Sequence, residues 1–213
     1  MKDRYTTIQK LAEAEIVEKR SRFIATVKPV KTEEEALAFL NELRQKYWNA
    51  THNVYAYIIE ENQIMRYSDD GEPGGTAGLP VLDMLKKEGL TNLIVVVTRY
   101  FGGVLLGTGG LVHAYSKSAK AGVVAAGLLD MILCRRITLT CEYTLLGKLQ
   151  NLIAKHLEVI VEEAVYTDKV ELPLYLPVEE ADAFCDSITD NMNAQVIIHQ
   201  GETLYHGKPR AME

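Results

Sequence analysis

The chain has 213 residues, a net charge of −6 and a hydrophobic share of 47%. This globular composition excludes a disordered, collagen-like or coiled-coil protein, and the length allows one large or two small domains. No apolar run approaches the ~20 residues of a membrane-spanning helix, and the first residues lack the apolar stretch of a secretory signal. We therefore expect a cytoplasmic protein. Three cysteines without C-x-x-C spacing predict buried, inert thiols.

The charge divides the chain into two parts. Residues 1–133 contain 16 basic and 16 acidic side chains, whereas residues 134–213 contain 7 and 13. The asymmetry predicts two domains with these limits, and it argues against general polyanion binding by the second one.

The first domain is predicted to mix strands and helices. Alternating apolar residues predict two hairpins, and Thr32 followed by three glutamates predicts a capping box at a helix start. A continuous β-branched run is typical of a strand that is covered on both faces. Glycine-rich loops precede a short helix and a long one. In chain order the elements are predicted at 15–17, 23–27, 32–46, 54–59, 64–67, 79–88, 93–97 and about 111–127.

The second domain has a simpler pattern. Apolar periodicity predicts the order βαββαβ, which is that of a ferredoxin-like sandwich. The elements are predicted at 137–141, 145–156, 159–165, 170–176, about 179–189 and 195–199.

An acidic loop contains Asp69, Asp70 and Glu72. Three carboxylates within four residues can hold a hard cation such as Mg²⁺ through oxygen, or orient a water. The Asp-Gly and Glu-Pro pairs of this loop are also turn formers in solvated loops. On the sequence, a metal site and a plain turn are both open.

Two glycine-rich turns enter helices, at 74–78 and 102–110. Backbone amides at a helix start, with no Cβ to block approach, favour a bound phosphate. Tight-turn geometry and close helix packing explain the same glycines, and neither turn matches a Walker loop or a dinucleotide motif. Because the turns flank one buried strand, we expect residues 68–78 and 99–113 to meet in a pocket open to solvent.

Arg99, Tyr100 and Phe101 follow the buried strand. The guanidinium can pair with an aspartate of the acidic loop or with a phosphate, and the rings can stack on a base. An internal Arg–Asp bridge with Phe101 in the core is the structural alternative. His52 and His113 can approach the same loops, where acid–base or metal work and a purely structural role are both open.

The loop sequences SDDGEPGGTAG, at 68–78, and VVTRYFGGVLLGTGGLVHAY, at 96–115, resemble the IMPACT family in its bacterial YigZ-like branch. The similarity covers nearly the whole chain, and the second domain looks like the domain of unknown function that follows the IMPACT module in bacteria. The resemblance implies an α+β protein. Its first domain is expected to have the fold of the second domain of small-subunit ribosomal protein five, followed by the ferredoxin-like domain. This succession is similar to the fourth and fifth domains of elongation factor G.

The resemblance also implies a role in translation. Eukaryotic IMPACT proteins restrain the amino-acid-starvation kinase pathway through an extra amino-terminal recognition domain. The match here begins within the first twenty residues, so that partner is not carried over. The implied fold is shared by small-molecule kinases, whose glycine-rich phosphate loop enters a helix. Residues 107–110 are placed similarly, although the serine pair expected after the glycines is absent.

We therefore expect a translation-associated regulatory factor that binds RNA, the ribosome or a translation-factor protein, without established catalysis. A local basic patch, formed by Lys19, Arg20, Arg22 and Lys28, can serve an RNA contact although the domain is neutral overall. The alternative is a Mg-dependent enzyme acting on a phosphorylated small molecule or nucleotide. The residues expected to bind the ligand are His52, Asp69, Asp70, Glu72, Gly74, Gly75, Thr76, Arg99, Tyr100, Gly102, Gly103, Thr108, Gly109 and His113.

Overall fold

The computed structural model describes residues 3–156 and 158–210. The described chain divides into two compact units, one formed by 5–130 with 208–210 and the other by 131–207 with 3–4. The chain passes from the first unit to the second within the strand Leu128–Cys141. Residues 208–210 are grouped with the first unit, and residues 3–4 with the second. The domain limits 1–133 and 134–213 therefore remain a proposal. No helix among the described residues is long and apolar enough to cross a membrane.

The first unit is built on an antiparallel sheet. The elements, in chain order, are β1 (Arg4–Ile8), β2 (Ala12–Glu18), β3 (Ser21–Pro29), α1 (Glu33–Lys46), β4 (His52–Ile59), β5 (Ile64–Ser68), α2 (Gly78–Lys87), β6 (Leu93–Tyr100) and α3 (Thr108–Ala126). The sheet has the order β2-β3-β6-β4-β5. Both predicted hairpins are confirmed, since β2 pairs with β3 and β4 pairs with β5.

The central strand β6 is covered on both faces, as its β-branched sequence predicts. Leu93, Val95 and Val97 belong to the core that includes α2 and α3. Ile94 and Val96 point the other way, into the core that includes α1. Successive side chains of a strand point to opposite faces, so one strand contributes to both cores.

Helix α1 begins with the predicted capping box. The Thr32 hydroxyl accepts a hydrogen bond from the backbone N–H of Glu35 at 3.2 Å, and the Glu35 carboxylate accepts one from the N–H of Lys31 at 2.8 Å. The helical spacing of Ala36, Leu37, Leu40 and Leu43 predicts that these four side chains are buried. The prediction is wrong at Leu37, which is 42% exposed, while Phe39 is buried instead. The helix is therefore rotated slightly from the face that leucine spacing alone indicated.

Helix α3 lies close to the sheet through small residues. The small residues Ala114, Ser118, Ala121 and Ala125 predict a helix that lies close against the sheet. Ala114 and Ser118 are buried, whereas Ala125 is exposed. A Cβ added at Gly122 would lie 3.0 Å from the Cβ of Ala25 in β3, so a larger residue would fit only if its neighbours shifted.

The second unit has the ferredoxin-like α+β arrangement. The elements are β7 (Leu128–Cys141), α4 (Leu146–Ile153), β8 (Ile160–Val161), β9 (Val165–Tyr166), β10 (Val170–Pro177), α5 (Val178–Asn191) and β11 (Ile197–Arg210). Its strands follow the order β11-β7-β10-β8, with β9 also paired to β10. The predicted order βαββαβ is found, except that β8 and β9 together stand where one strand was expected.

Two strands of this unit differ from the prediction. The expected strand at 159–165 is two short strands, and the last strand continues to Arg210 instead of ending at residue 199. Most side chains of β11 are exposed, so it lacks the apolar alternation by which strands are recognised. The thiols are as predicted: Cys134, Cys141 and Cys185 are free and buried, and burial raises the pKa of each.

Candidate functional site

The first glycine-rich turn is closed by a carboxylate of the chain itself. We call residues 74–78 the α2 turn because they enter helix α2. Asp69 accepts hydrogen bonds from three of its backbone N–H groups, those of Gly75 at 2.8 Å, Ala77 at 3.1 Å and Gly78 at 2.8 Å. An aspartate at a helix start satisfies free amides and matches the positive end of the helix dipole. Asp69 is therefore a structural cap in this arrangement.

Asp70 fastens the same loop to strand β4. One carboxylate oxygen accepts a hydrogen bond from the backbone N–H of Asn53 at 2.6 Å, and the other lies 3.4 Å from a guanidinium nitrogen of Arg44. The main-chain carbonyl of Asp70 lies 2.8 Å from Nδ1 of His52. A carbonyl can only accept, so this contact places the proton on Nδ1 and directs Nε2 elsewhere.

Glu72 is the buried centre of the site. Its side chain is 4% exposed, and its Oε1 accepts hydrogen bonds from Arg99 at 2.5 Å and from the Tyr115 hydroxyl at 2.7 Å. Nε2 of His52 lies 3.7 Å from the same oxygen. Burial, reinforced by the bond to Glu72, raises the pKa of the Tyr115 phenol above its usual range. The two hydrogen-bond donors come from β6 and α3, so the Glu72 carboxylate joins these two elements, and His52 of β4 lies nearby.

The predicted partner of Arg99 is wrong. The bridge joins Arg99 to Glu72, not to Asp69 or Asp70, because both aspartates already bind backbone amides. The Arg99 guanidinium also lies over the Phe23 ring at 5.3 Å and the Phe101 ring at 5.5 Å. Phe101, which the structural alternative places in the core, is 46% exposed. Arg99 itself is part of strand β6 and not of the following loop.

Several predicted glycines and Thr76 have structural roles. A Cβ at Gly102 would collide with the backbone carbonyl of Arg20, and Gly103 has a φ of +82°. The Thr76 hydroxyl is buried and donates to the carbonyl of Pro73 at 2.7 Å. Gly74 is exposed in the α2 turn. These positions build the loops.

The second turn differs because no side chain of the described residues caps it. We call residues 107–110 the α3 turn. Gly107 precedes the helix with a φ of +74°, which favours glycine. Within the described chain, no side chain caps this end and no acidic residue lies in the first turn. The first-turn amides, which include those of Thr108 and Gly109, remain available to an outside acceptor.

The acidic loop and the α3 turn meet in one open cavity, as the sequence predicts for segments 68–78 and 99–113. Its volume is about 420 Å³. Of the predicted ligand-binding residues, His52, Glu72, Arg99 and Thr108 line it; the other ten are not among its lining residues in the described chain. The lining residues are Thr51, His52, Glu72, Pro73, Arg99, Phe101, Leu105, Leu106, Gly107, Thr108 and Leu111.

His113 lies elsewhere. It is exposed on α3 and lines a separate groove of about 650 Å³ between α2 and α3, together with Gly75, Lys87 and Lys117. The two histidines line different cavities, so the structure does not assemble them as an acid–base pair. Among the described residues there is also no group of three or more His, Cys, Asp or Glu side chains placed to hold a metal ion.

Three aromatic residues, which we call the aromatic surface, lie on two neighbouring segments, and one of the three lines the cavity. They are Trp48, which is 81% exposed, Phe101, which lines the cavity, and the half-buried Tyr100. Segments 48–51 and 99–101 are tied together, because the Tyr100 hydroxyl donates to Asn49 at 3.0 Å and the N–H of Phe101 donates to the Thr51 hydroxyl at 3.1 Å. The N–H of Thr51 donates to the carbonyl of Arg99 at 2.9 Å.

Sequence reasoning missed Tyr115 and Trp48 as candidate site residues. Tyr115 lies among small residues on the buried face of α3, and a tyrosine hydroxyl in such a position needs a hydrogen-bond partner. This need for a partner is the sequence signal that could have identified Tyr115. Trp48 follows α1 in a turn, where sequence alone does not indicate whether a tryptophan is buried.

Comparison with known proteins finds two family models that match this chain. Residues 19–123 match the family model described as the Impact N-terminal domain, and residues 139–195 match a domain of unknown function, DUF1949. A solved structure described as a hypothetical protein is similar with a TM-score of 0.60 and 29% identity, covering 95% of this chain and 99% of that one.

The curated relatives include bacterial and eukaryotic proteins. "Protein IMPACT homolog" of Dictyostelium discoideum is 42% identical over 103 residues, which are 46% of this chain and 29% of that protein. "IMPACT family member YigZ" of Escherichia coli is 36% identical over 140 residues, 64% of this chain and 69% of that one. "IMPACT family member YvyE" of Bacillus subtilis is 42% identical over 202 residues, covering 94% of this chain and 93% of that protein. A match of this length and identity shows that the chain belongs to the IMPACT family, as a YigZ-like member.

Proposed function

We propose that this protein is a translation-associated regulatory factor whose first unit binds unpaired RNA. Membership of the IMPACT family supports the link to translation. The aromatic surface supports RNA as the partner, and it is the observation that carries the proposal. Trp48 and Phe101 present exposed rings on two segments that hydrogen bonds hold side by side.

Exposed rings of this kind are a means of binding single strands. Unpaired bases stack on aromatic side chains, and each stacked base contributes about 1–3 kcal/mol. Tyr100 adds a half-buried ring with the Arg22 guanidinium 5.5 Å from its centroid. The surface therefore combines aromatic faces with a neighbouring cation.

The phosphate contribution to binding is expected to be small. Arg99, predicted to be a contact, is 5% exposed and paired with Glu72, so we no longer assign it to an RNA phosphate. In the predicted basic patch, Arg22 pairs with Glu15 and Lys28 lies over the Phe39 ring. Lys19 and Arg20 remain exposed. About two phosphate contacts predict a log–log salt slope of roughly −1.4 for a single strand.

Tryptophan fluorescence provides a direct test, because Trp48 is the only tryptophan of the chain. An RNA hairpin with an unpaired loop should quench its emission when a base stacks on the indole. Repeating the titration at several salt concentrations should give the shallow slope. If the RNA does not bind at any of the salt concentrations tested, the lowest included, the proposal is overturned.

Variants locate the contact. Trp48→Ala and Phe101→Ala should each weaken binding of labelled RNA, followed by anisotropy, about 5–150-fold, the equivalent of about 1–3 kcal/mol. The matched control is Tyr166→Ala, which removes an exposed ring from the second unit and should leave the affinity unchanged. Equal affinity for all three variants would show that RNA binds elsewhere.

The alternative is a Mg-dependent enzyme, and the three carboxylates expected to bind its Mg²⁺ already bind other groups of the protein. Asp69, Asp70 and Glu72 each accept hydrogen bonds from other groups of the protein, and Glu72 is neutralised by Arg99. The geometry therefore favours no metal at these carboxylates. The phosphate half of that alternative does not depend on Mg²⁺, because it rests on the α3 turn.

A further inference from the structure

We infer that the cavity at the start of α3 binds a phosphate monoester that carries hydroxyl groups, as a phosphorylated sugar does. This inference goes beyond the RNA proposal and does not depend on it. Two separate features of the same cavity carry it: the unfilled amides of the α3 turn and an unused oxygen of Glu72.

The α3 turn supplies the phosphate half of the site. Helix α3 is 19 residues long, and its first turn carries neither a side-chain cap nor an acidic residue in the described chain. An added Cβ at Gly109 would meet no described atom within 4 Å, so the approach to the amides is open. Free N–H groups and the positive end of a helix dipole together favour a phosphate.

Glu72 supplies the hydroxyl half. All the hydrogen bonds that it receives through its side chain reach Oε1; none of the described residues donates one to Oε2. The side chain is 4% exposed and lines the cavity. A carboxylate oxygen that receives no hydrogen bond from the described residues can accept one from a ligand hydroxyl, and a bond to a charged group is among the stronger ones. Nε of Arg99, in the same wall, is buried and without a partner among residues 3–156 and 158–210.

The charge and shape of the cavity fit such a ligand. The Arg99 guanidinium balances the Glu72 carboxylate, so the walls do not repel an anion. His52 lines the cavity, where its Nε2 can bind a second hydroxyl. The volume of about 420 Å³ lies in the range of small-molecule sites, about 300–1,000 Å³. Leu106 and Leu111 form an apolar wall suited to a sugar ring.

Calorimetric titration with three probes tests the inference: ribose 5-phosphate, ribose and inorganic phosphate. Ribose 5-phosphate engages both halves and should bind at least about tenfold more tightly than either fragment, because one hydrogen bond to a charged group contributes about 1.5–3 kcal/mol. Equal affinity for ribose 5-phosphate and inorganic phosphate would show that the cavity binds no hydroxyl group, and would overturn that part of the inference. No binding of any probe would overturn the inference.

Thr108→Asp locates the phosphate. Thr108 is exposed at the first position of α3, so a carboxylate there should be tolerated and should occupy the amides in place of phosphate. We expect ribose 5-phosphate affinity to fall at least about tenfold. The matched control, Gln150→Glu, adds the same charge at an exposed position of helix α4 and should leave the ribose 5-phosphate affinity unchanged. Unchanged affinity in Thr108→Asp would place the phosphate elsewhere and overturn the inference.

Two further arms separate the sources of the phosphate and the two proposals. If a 5′-phosphorylated trinucleotide binds more tightly than ribose 5-phosphate, the natural ligand is the phosphorylated end of an RNA. If ribose 5-phosphate binds more tightly, the natural ligand is a small molecule. Both outcomes support a phosphate site in this cavity. Trp48→Ala should keep the affinity for ribose 5-phosphate while it weakens RNA binding, because Trp48 does not line this cavity within the described chain. Loss of both ligands in Trp48→Ala would contradict a separate site.

Discussion

The α2 turn and the α3 turn are similar in sequence, but they differ in whether a side chain of the described residues binds their backbone amides. Both are glycine-rich and both open a helix in the first unit. In the α2 turn, Asp69 already binds three backbone amides. In the α3 turn, no described side chain does so. Whether a glycine-rich helix start is architecture or a ligand site therefore depends on whether the chain supplies its own anion.

The same contrast applies to the three loop carboxylates. Asp69 and Asp70 satisfy backbone groups and hold the loop in shape. Glu72 is directed inward, where it pairs with Arg99 and leaves one oxygen without a donor from the described residues. Only Glu72 of the three lines the cavity. Neighbouring carboxylates in one acidic loop thus separate into structural groups and a group at the candidate site.

The largest expected effect comes from removing the centre of the site. Glu72→Ala should destabilise the first unit by about 3–5 kcal/mol, because it leaves the Arg99 guanidinium buried without its partner. Urea unfolding monitored by circular dichroism measures the loss. The control is Glu88→Ala, whose salt bridge to Lys120 is near the surface and should contribute about 1 kcal/mol or less. Similar losses in both variants would show that the buried pair is not the centre proposed here.

Removal of the anion from the α2 turn should have the next largest effect. Asp69→Ala leaves three backbone amides of the turn without their acceptor and should cost about 3 kcal/mol. Asp83→Ala, on the exposed side of the same helix, is the matched control and should stay within about 0.5 kcal/mol. If added phosphate restores the lost stability of Asp69→Ala, the α2 turn has become an anion site like the α3 turn.

Gly107→Ala tests the geometry that keeps the α3 turn open. The residue has a φ of +74° and a ψ of 167°, a region that side chains with a Cβ avoid. We expect a loss of about 2 kcal/mol in the free energy of unfolding. A neutral result would mean that the turn adopts a different conformation and that its amides are not held in place.

Tyr115→Phe tests the buried wall of the cavity and its pH dependence. The variant should lose about 1–2 kcal/mol at neutral pH, because Glu72 loses one donor. Since the pKa of Tyr115 is raised in the folded protein, its contribution is present below the unfolded value of about 10 and is lost as the pH rises above it. Unfolding free energies at pH 7 and pH 10.5 should therefore differ less in the variant than in the natural chain. An equal difference would contradict a buried, hydrogen-bonded phenol.

Sequence patterns predicted the fold where local signals are strong. The capping box at Thr32, the two hairpins and the two-faced strand β6 all follow from residue spacing over short ranges. Strand β11 was predicted too short because its side chains are mostly exposed and carry no apolar alternation. Its length is set by pairing with β7, which is a tertiary interaction.

The site was predictable as a place and not as a set of contacts. The glycine-rich turns and the acidic loop indicated where two segments would meet. Which carboxylate pairs with Arg99 depends on side-chain directions after Asp70, a residue with a φ of +46°. The sequence contains no signal for that turn of the backbone. The separation of His113 from His52 follows from its place on the outer side of α3, since the neighbouring Ala114 and Tyr115 point inward.

The smallest expected effect has the opposite sign. Gly109 lies within the first turn of α3 at a helical position, and a Cβ there would meet no described atom within 4 Å. Gly109→Ala should therefore stabilise the protein by about 0.5 kcal/mol, because alanine loses less conformational freedom than glycine when a helix forms. Gly107→Ala, two residues earlier, should lower stability. A pair of denaturation curves that shift in opposite directions would confirm that one glycine is needed for the turn while the other leaves space above the amides, and a loss of stability in both would show that the space is already filled.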